Sequence, residues 1–237
     1  MARQVAMDNA LGEYKKLLAD HPSLISNENA LIKVVTDERE IREWMAQNKT
    51  MLTAKGRPED WGTIGVVLND PYIVVLRDLV EFPGGAKKSY FRVMNQADLR
   101  GGQGAAVLAE KDNSYLLLHL FRHPTRSWSY EIPRGFGEPG VKAEQQARNE
   151  IREEVRGEIA EMVDLGVYHS NTGLEANAVK LFYARLKSVG TPEAEEGIES
   201  ILWVSLTQLE ELISSARITD GFTIAAYTRA KLKGVLV

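Results

Sequence analysis

Residues 135–157 read GFGEPGVKAEQQARNEIREEVRG. The first part is a glycine-rich loop entered through Pro133 and Arg134, and the second part has the spacing of a helix over 142–156. Within that helix Glu150, Glu153 and Glu154 stand at i, i+3 and i+4, which sets three carboxylates on one face. Like charges so placed destabilise a bare helix by roughly 0.2–0.5 kcal/mol per pair, and a divalent cation among them reverses the sign. On its own the helix also reads as a solvated face, because Arg148, Arg152 and Arg156 form an i, i+4 stripe and Glu144 is placed to pair with Arg148. The loop shifts the reading towards a site. Gly135, Gly137 and Gly140 permit positive φ and close main-chain approach to a ligand. A carbonyl of such a loop can join carboxylates around a hard cation such as Mg²⁺, whose octahedron is completed by waters and phosphate oxygens.

Working upstream, residues 64–68, 72–80 and 89–93 are rich in β-branched and aromatic side chains, separated by the turns Asn69-Asp70-Pro71 and Pro83-Gly84-Gly85. Residues 105–109 and 115–121 read as a hairpin, and 130–132 as a short strand running into the loop. Further upstream, Leu11, Tyr14, Leu17 and Leu18 recur at helical spacing, and Asp37 caps a second helix over 37–48 with Ile41, Trp44 and Met45 on one face. Downstream, 162–168, 179–186 and 201–204 read as strands, and 206–215 and 219–233 as helices. Strands, one internal helix, then strands and helices again is an α+β pattern. We expect a helical extension over 1–60 and one catalytic domain over 61–237, with the extension serving packing or dimerisation.

Composition narrows the chemistry. The 237 residues include no cysteine, which excludes disulfides, thiolate metal sites and a cysteine nucleophile. A formal net charge of -4 does not suit non-specific nucleic-acid binding. No stretch approaches the roughly 18–20 apolar residues of a membrane span, and the N-terminus lacks the apolar run of a secretory signal. The expectation is a cytoplasmic protein that binds neither nucleic acid nor membrane. No serine or cysteine motif supports a hydrolase triad. His119 in its strand, His123 after Arg122 and the four tryptophans read as structural, with Trp128 nearest the loop.

The quoted stretch resembles the Nudix box, G-x5-E-x7-R-E-U-x-E-E-x-G-U, where U is a bulky aliphatic residue. Gly135 matches the first glycine, and Glu150, Ile151, Glu153 and Glu154 match the core in register without a gap. Pro133, Glu138, Gly140 and Ala147 match common preferences. Val141 stands where the family has a glutamate, Asn149 where it has the arginine that orients the catalytic glutamates, Arg156 at the late glycine, and Lys142 at the usual Ser or Thr cap. The likeness extends over about 64–236. Leu120-Phe121-Arg122 followed by Glu131-Ile132-Pro133, and the ending at 215–223, are similar to the ADP-ribose pyrophosphatase-like subgroup, although the proline that subgroup carries after its box is absent from 170–174.

The resemblance implies an α/β/α sandwich of mixed sheets and hydrolysis of a nucleoside diphosphate linked to another group, ADP-ribose first among the substrates. Another nucleotide sugar, a nucleoside polyphosphate, or a module that senses ADP-ribose without cutting it are the alternatives. It implies Mg²⁺ or Mn²⁺ held by Glu150, Glu153, Glu154 and the carbonyl of Arg134. Arg122, Glu131 and Gly135 are the implied substrate contacts. The general base is expected among Glu193, Glu195 and Glu196, with Glu175 a weaker candidate. A homodimer is also implied.

Overall fold

The computed structural model describes residues 2–191 and 197–236. The chain forms two compact units: one runs to Leu99 and takes in Gly173–Ala176, the other comprises Arg100–Thr172 and the chain from Asn177 onward. The division therefore falls near residue 99 and not at the expected 60.

The first unit holds two helices, α1 (Ala2–Asp20) and α2 (Glu38–Ala54), and four strands, β1 (Lys33–Val34), β2 (Gly65–Asn69), β3 (Ile73–Glu81) and β4 (Lys87–Asn95), followed by the single turn α3 (Gln96–Leu99). Central β3 pairs antiparallel with β1, β2 and β4. Leu11, Tyr14 and Leu18 of α1 are buried with Ile64, Leu76, Leu79 and Met94. These strands share a core with the N-terminal helices, which is why the unit is not the purely helical extension expected from the helical spacing of its first 50 residues. Asp37 caps α2 by accepting from the backbone N–H of Glu40 at 2.8 Å, as its position just ahead of the apolar face predicts. Gly65, at φ 140, has the backbone of Ala10 only 2.6 Å from where a Cβ would stand, so only glycine lets α1 approach β2.

The second unit is built on a seven-stranded mixed sheet. It contains β5 (Ala105–Lys111), β6 (Ser114–Arg122), β7 (Ser127–Glu131), β8 (Arg134–Gly135), β9 (Glu158–Tyr168), β10 (Val179–Ser188) and β11 (Ile198–Val204). The order is β11-β6-β5-β10-β9, with β5 parallel to β10 and the other pairs antiparallel. The β5–β6 hairpin pairs only beside its turn, at Glu110↔Tyr115 and Lys111↔Ser114. Beyond that it splays, and the segment from Ser127 to Gly135 enters, with β7 on β6 and β8 on β5. Helix α4 (Ala143–Val155) covers one face through Ala147, Ile151 and Val155, packed with Val107, Leu118 and Leu120. Helices α5 (Leu206–Ser214) and α6 (Gly221–Leu232) cover the other through Leu209 and Ala226, packed with Leu108, Leu117 and Leu181. Fully burying a side chain such as Ile151 contributes about 1.5–3 kcal/mol. Both faces being covered explains why β5 and β6 read as unbroken apolar runs, AAVLA and YLLL, and not as an alternating pattern. The expected α+β sandwich of mixed sheets is the observed architecture. No helix among the described residues is long and apolar enough to cross a membrane.

Candidate active site

The wedged segment brings Glu131, Arg134 and Gly135 to the splayed opening of the sheet, on the side covered by α4. Glu131 ends β7, and its register opposite Leu118 turns it to the α4 face. Its side chain is 4% exposed and takes two arginines. Arg122 donates from Nε at 3.0 Å and from Nη2 at 2.6 Å, and Arg134 from Nε at 3.1 Å and Nη2 at 2.8 Å. Burial pushes the Glu131 carboxyl up, but the Arg122 hydrogen bond and the charges of Arg134 and Arg122 outweigh it and hold the group below the usual carboxylate range. Burial lowers Arg122, while Glu131 with the fields of Glu154 and Asp220 leaves it above the usual guanidinium value.

Arg134 is fixed from three directions. Besides Glu131 it has Asp220 at 3.7 Å and lies over the Phe222 ring at 4.8 Å. Asp220 caps α6, accepting from the Thr223 N–H at 2.8 Å and hydroxyl at 2.7 Å. The Thr223 hydroxyl oxygen in turn accepts from the Ile132 N–H at 3.1 Å. The start of α6 is thus tied to the short link between β7 and β8.

From the other side come the glutamates of α4. Glu154, 6% exposed, accepts from the Arg134 backbone N–H at 3.1 Å. Glu150, 8% exposed, accepts from Nε2 of Gln146 at 2.6 Å and lies directly against Gly135. A Cβ on residue 135 would stand 2.1 Å from Glu150 Oε1. Gly137 meets the backbone of Gln103 in the same way, at 2.4 Å. Among the three loop glycines only Gly140 has positive φ, at 75°. Gly135 and Gly137 are therefore needed for close approach and not, as the sequence also allowed, for left-handed backbone.

Glu153 does not join them. Its side chain is 53% exposed and lies 3.4 Å from Arg152. Helical geometry gives the reason: at about 100° per residue, Glu154 sits about 40° from Glu150 on one side and Glu153 about 60° on the other. The three share a broad face, yet only two reach the loop. No group of three His, Cys, Asp or Glu side chains is arranged to hold a metal among the described residues. Glu193, Glu195 and Glu196 lie outside the described residues. Glu175 belongs to the first unit, where it bridges to Val93 of β4.

The helix ends also answer the departures from the box. Lys142 at the N-cap of α4 makes no side-chain cap bond. Arg156 holds the left-handed C-cap, at φ 47 and ψ 38, where the pattern has glycine. Asn149 bonds Gln145 and Arg152. His119 is stacked between Trp128 and Tyr130, with ring centroids at 4.7 and 4.8 Å, and pairs with Glu199 at 2.6 Å. His123 contacts Arg126 across a turn. Sequence reasoning missed Gln146 and Asp220. A glutamine four residues before Glu150, next to Ala147, was the available signal for one. The Asp-x-x-Thr cap spacing at 220–223 was the signal for the other, read only as a helix start.

The residues present fit a hard dication. Glu131 is taken up by Arg122 and Arg134, whereas Glu150 and Glu154 bring two buried carboxylates to the Arg134–Gly135 loop. The donors available are carboxylate and carbonyl oxygens, the set that suits Mg²⁺ or Mn²⁺.

The model of the NUDIX domain family matches residues 99–222, just over half of the chain. That family generally uses divalent cations. A search of curated proteins finds no match. Among solved structures, the chain is similar to one described as the crystal structure of an ADP compounds hydrolase. The TM-score is 0.62 and the identity 17%, covering 73% of this chain and 92% of that one. At that identity the likeness concerns the fold, which agrees with the sandwich described above. The family match runs from the end of α3 to the first turn of α6 and contains Arg122, Glu131, Arg134, Gly135, Glu150, Glu154 and Asp220: the chain belongs to the Nudix family of hydrolases.

Proposed function

We propose that this protein hydrolyses the diphosphate linkage of a nucleoside diphosphate joined to a second group, with ADP-ribose as the leading substrate and AMP and ribose 5-phosphate as products. The observation that carries this reading is the pair Glu150 and Glu154, both buried, closing on the Arg134–Gly135 loop beside the Arg122–Glu131–Arg134 bridge. Water adds to one phosphorus, the bridging P–O bond breaks, the bridging oxygen leaves on one product phosphate, and the proton of the attacking water goes to a carboxylate. Glu195 or Glu196 is the proposed acceptor.

The Arg134 carbonyl, Glu150 and Glu154, with Glu153 from the exposed shoulder, would hold the cation. Mg²⁺ or Mn²⁺ bound there supplies charge neutralisation on phosphoryl oxygens and a more acidic water. The chain's own groups do the rest. Glu131 holds Arg122 and Arg134 as a pair, so their guanidinium groups face a diphosphate without reorganising. Gly135, having no side chain, lets the Glu150 carboxylate lie against its main chain. A small-molecule nucleotide is the partner, and the cytoplasm and a homodimer are the proposed setting. The first unit, with its own core, is the proposed dimerisation element.

A second reading, that the protein binds ADP-ribose without cutting it, draws on Asn149 in the arginine position and on Glu153 turned to solvent. A panel of ADP-ribose, other nucleotide sugars, dinucleoside polyphosphates and nucleoside triphosphates, assayed with Mg²⁺ and Mn²⁺, separates these readings. AMP from ADP-ribose supports the first. A preference for triphosphates excludes that substrate, and calorimetric ADP-ribose binding without turnover supports the sensor.

A further inference from the structure

We propose that Gln146 positions the carboxylate of Glu150, taking over the task that the Nudix pattern gives to the arginine replaced by Asn149. This rests on Glu150 being part of the hydrolytic site. The side chain at 149 is engaged away from that carboxylate, its Oδ1 accepting from Gln145 Nε2 at 3.0 Å and from Arg152 Nη2 at 3.1 Å. One turn before Glu150, Gln146 is 2% exposed and donates to Glu150 Oε1 at 2.6 Å. Its own Oε1 is buried with no hydrogen-bond partner.

A residue that merely filled this space would be apolar, like its fully buried neighbours Ala147 and Ile151. The amide orientation follows from its partner: an ionised carboxylate only accepts, so Nε2 and not Oε1 must face it. Glu150 is thereby held between an amide donor and the bare α-carbon of Gly135. Its oxygens are set before any ligand arrives, which is the preorganisation a hydrolytic site needs. The arginine of the family pattern would approach from position 149. Here the restraint comes from the buried side of the helix.

The test uses the full chain and four variants: Gln146→Met, which keeps the volume and removes the donor, Gln146→Ala, Asn149→Arg, and Gln146→Met with Asn149→Arg. Four quantities are read: kcat and KM for AMP release, Mn²⁺ affinity by electron paramagnetic resonance without nucleotide, and the melting temperature. Gln146→Met is expected to lower kcat and weaken Mn²⁺ binding by about tenfold or more, the usual effect of losing a group that orients a metal ligand. KM should stay within about twofold, and the melting temperature should not fall. Adding Asn149→Arg should recover most of the lost kcat and Mn²⁺ affinity. Mn²⁺ affinity unchanged in Gln146→Met, or a loss that the arginine does not restore, overturns the proposal. A parent chain that releases no AMP from any diphosphate removes the proposed function, and the Mn²⁺ measurement then decides the role of Gln146 by itself.

Discussion

The carboxylate of Glu150 rests against the α-carbon of Gly135 so closely that a methyl group there would stand 2.1 Å from Oε1 and 2.3 Å from Oε2. The obstructing atoms are the far end of a side chain and not backbone, so the helix stays in place while the carboxylate is forced aside. Gly135→Ala should therefore cost activity more than stability. We expect a loss of about a hundredfold in kcat, about 2.7 kcal/mol of barrier, with destabilisation of only about 1–2 kcal/mol. Steady-state rates and urea unfolding of the same preparation check the difference.

Glu131 gives a pH-dependent effect with a defined sign. Its folded-state pKa lies below the ordinary glutamate value, so its contribution to stability is present above the unfolded-state value and is lost as pH falls through the folded one. Replacing it by glutamine should cost about 2–3 kcal/mol at neutral pH, the scale of hydrogen bonds to a charged group. Below about pH 4 the gap between parent and variant should narrow. Urea unfolding from pH 7 down to pH 3 measures this, and a gap that stays constant over that range would contradict the assignment.

A second titration lies where β10 runs beside the end of β5. Burial and the neighbouring Glu110 push the Tyr183 hydroxyl up to about 12. The raised value favours the neutral phenol, so the stabilisation is full below the ordinary tyrosine pKa and disappears as pH rises through the folded value. Ultraviolet titration should show one tyrosine ionising near that value, and Tyr183→Phe should remove that step. Tyr14, buried and bonded to Asp78 at 2.5 Å, is displaced in the same direction.

Arg156 closes α4 in the left-handed region, at φ 47, a conformation that glycine adopts without a Cβ penalty. Arg156→Gly should stabilise the protein by about 0.5–1 kcal/mol, read as a higher melting temperature with unchanged kcat. A lower melting temperature would mean that the side chain contributes more than its backbone strain costs.

Much of the second unit was legible in the chain. The apolar runs of β5 and β6, the start of the last helix near 219–220 and the helix at 142–156 all follow from local spacing. Other features depend on pairings that local spacing does not encode. The splayed β5–β6 hairpin, which admits the segment bearing Glu131 and Arg134, is one. The allegiance of β2–β4 to the N-terminal helices is another, because it depends on Tyr14 and Leu11 meeting Leu76 and Met94 over long sequence separations. Within the site, helical spacing sets Glu150, Glu153 and Glu154 on one broad face, yet face membership does not say which side chain reaches across to the loop. That is settled by the rotation of α4 on the sheet, fixed by Ala147, Ile151 and Val155.

The most direct measurement compares products from ADP-ribose with Mg²⁺ for the parent chain and Glu154→Gln. Glu154 bonds the Arg134 N–H, so the substitution preserves shape while removing the charge. The expected result is AMP and ribose 5-phosphate from the parent and at least a roughly hundredfold slower release from the variant, about 2.7 kcal/mol of barrier. AMP release by the variant at nearly the parental rate would place the hydrolytic centre elsewhere.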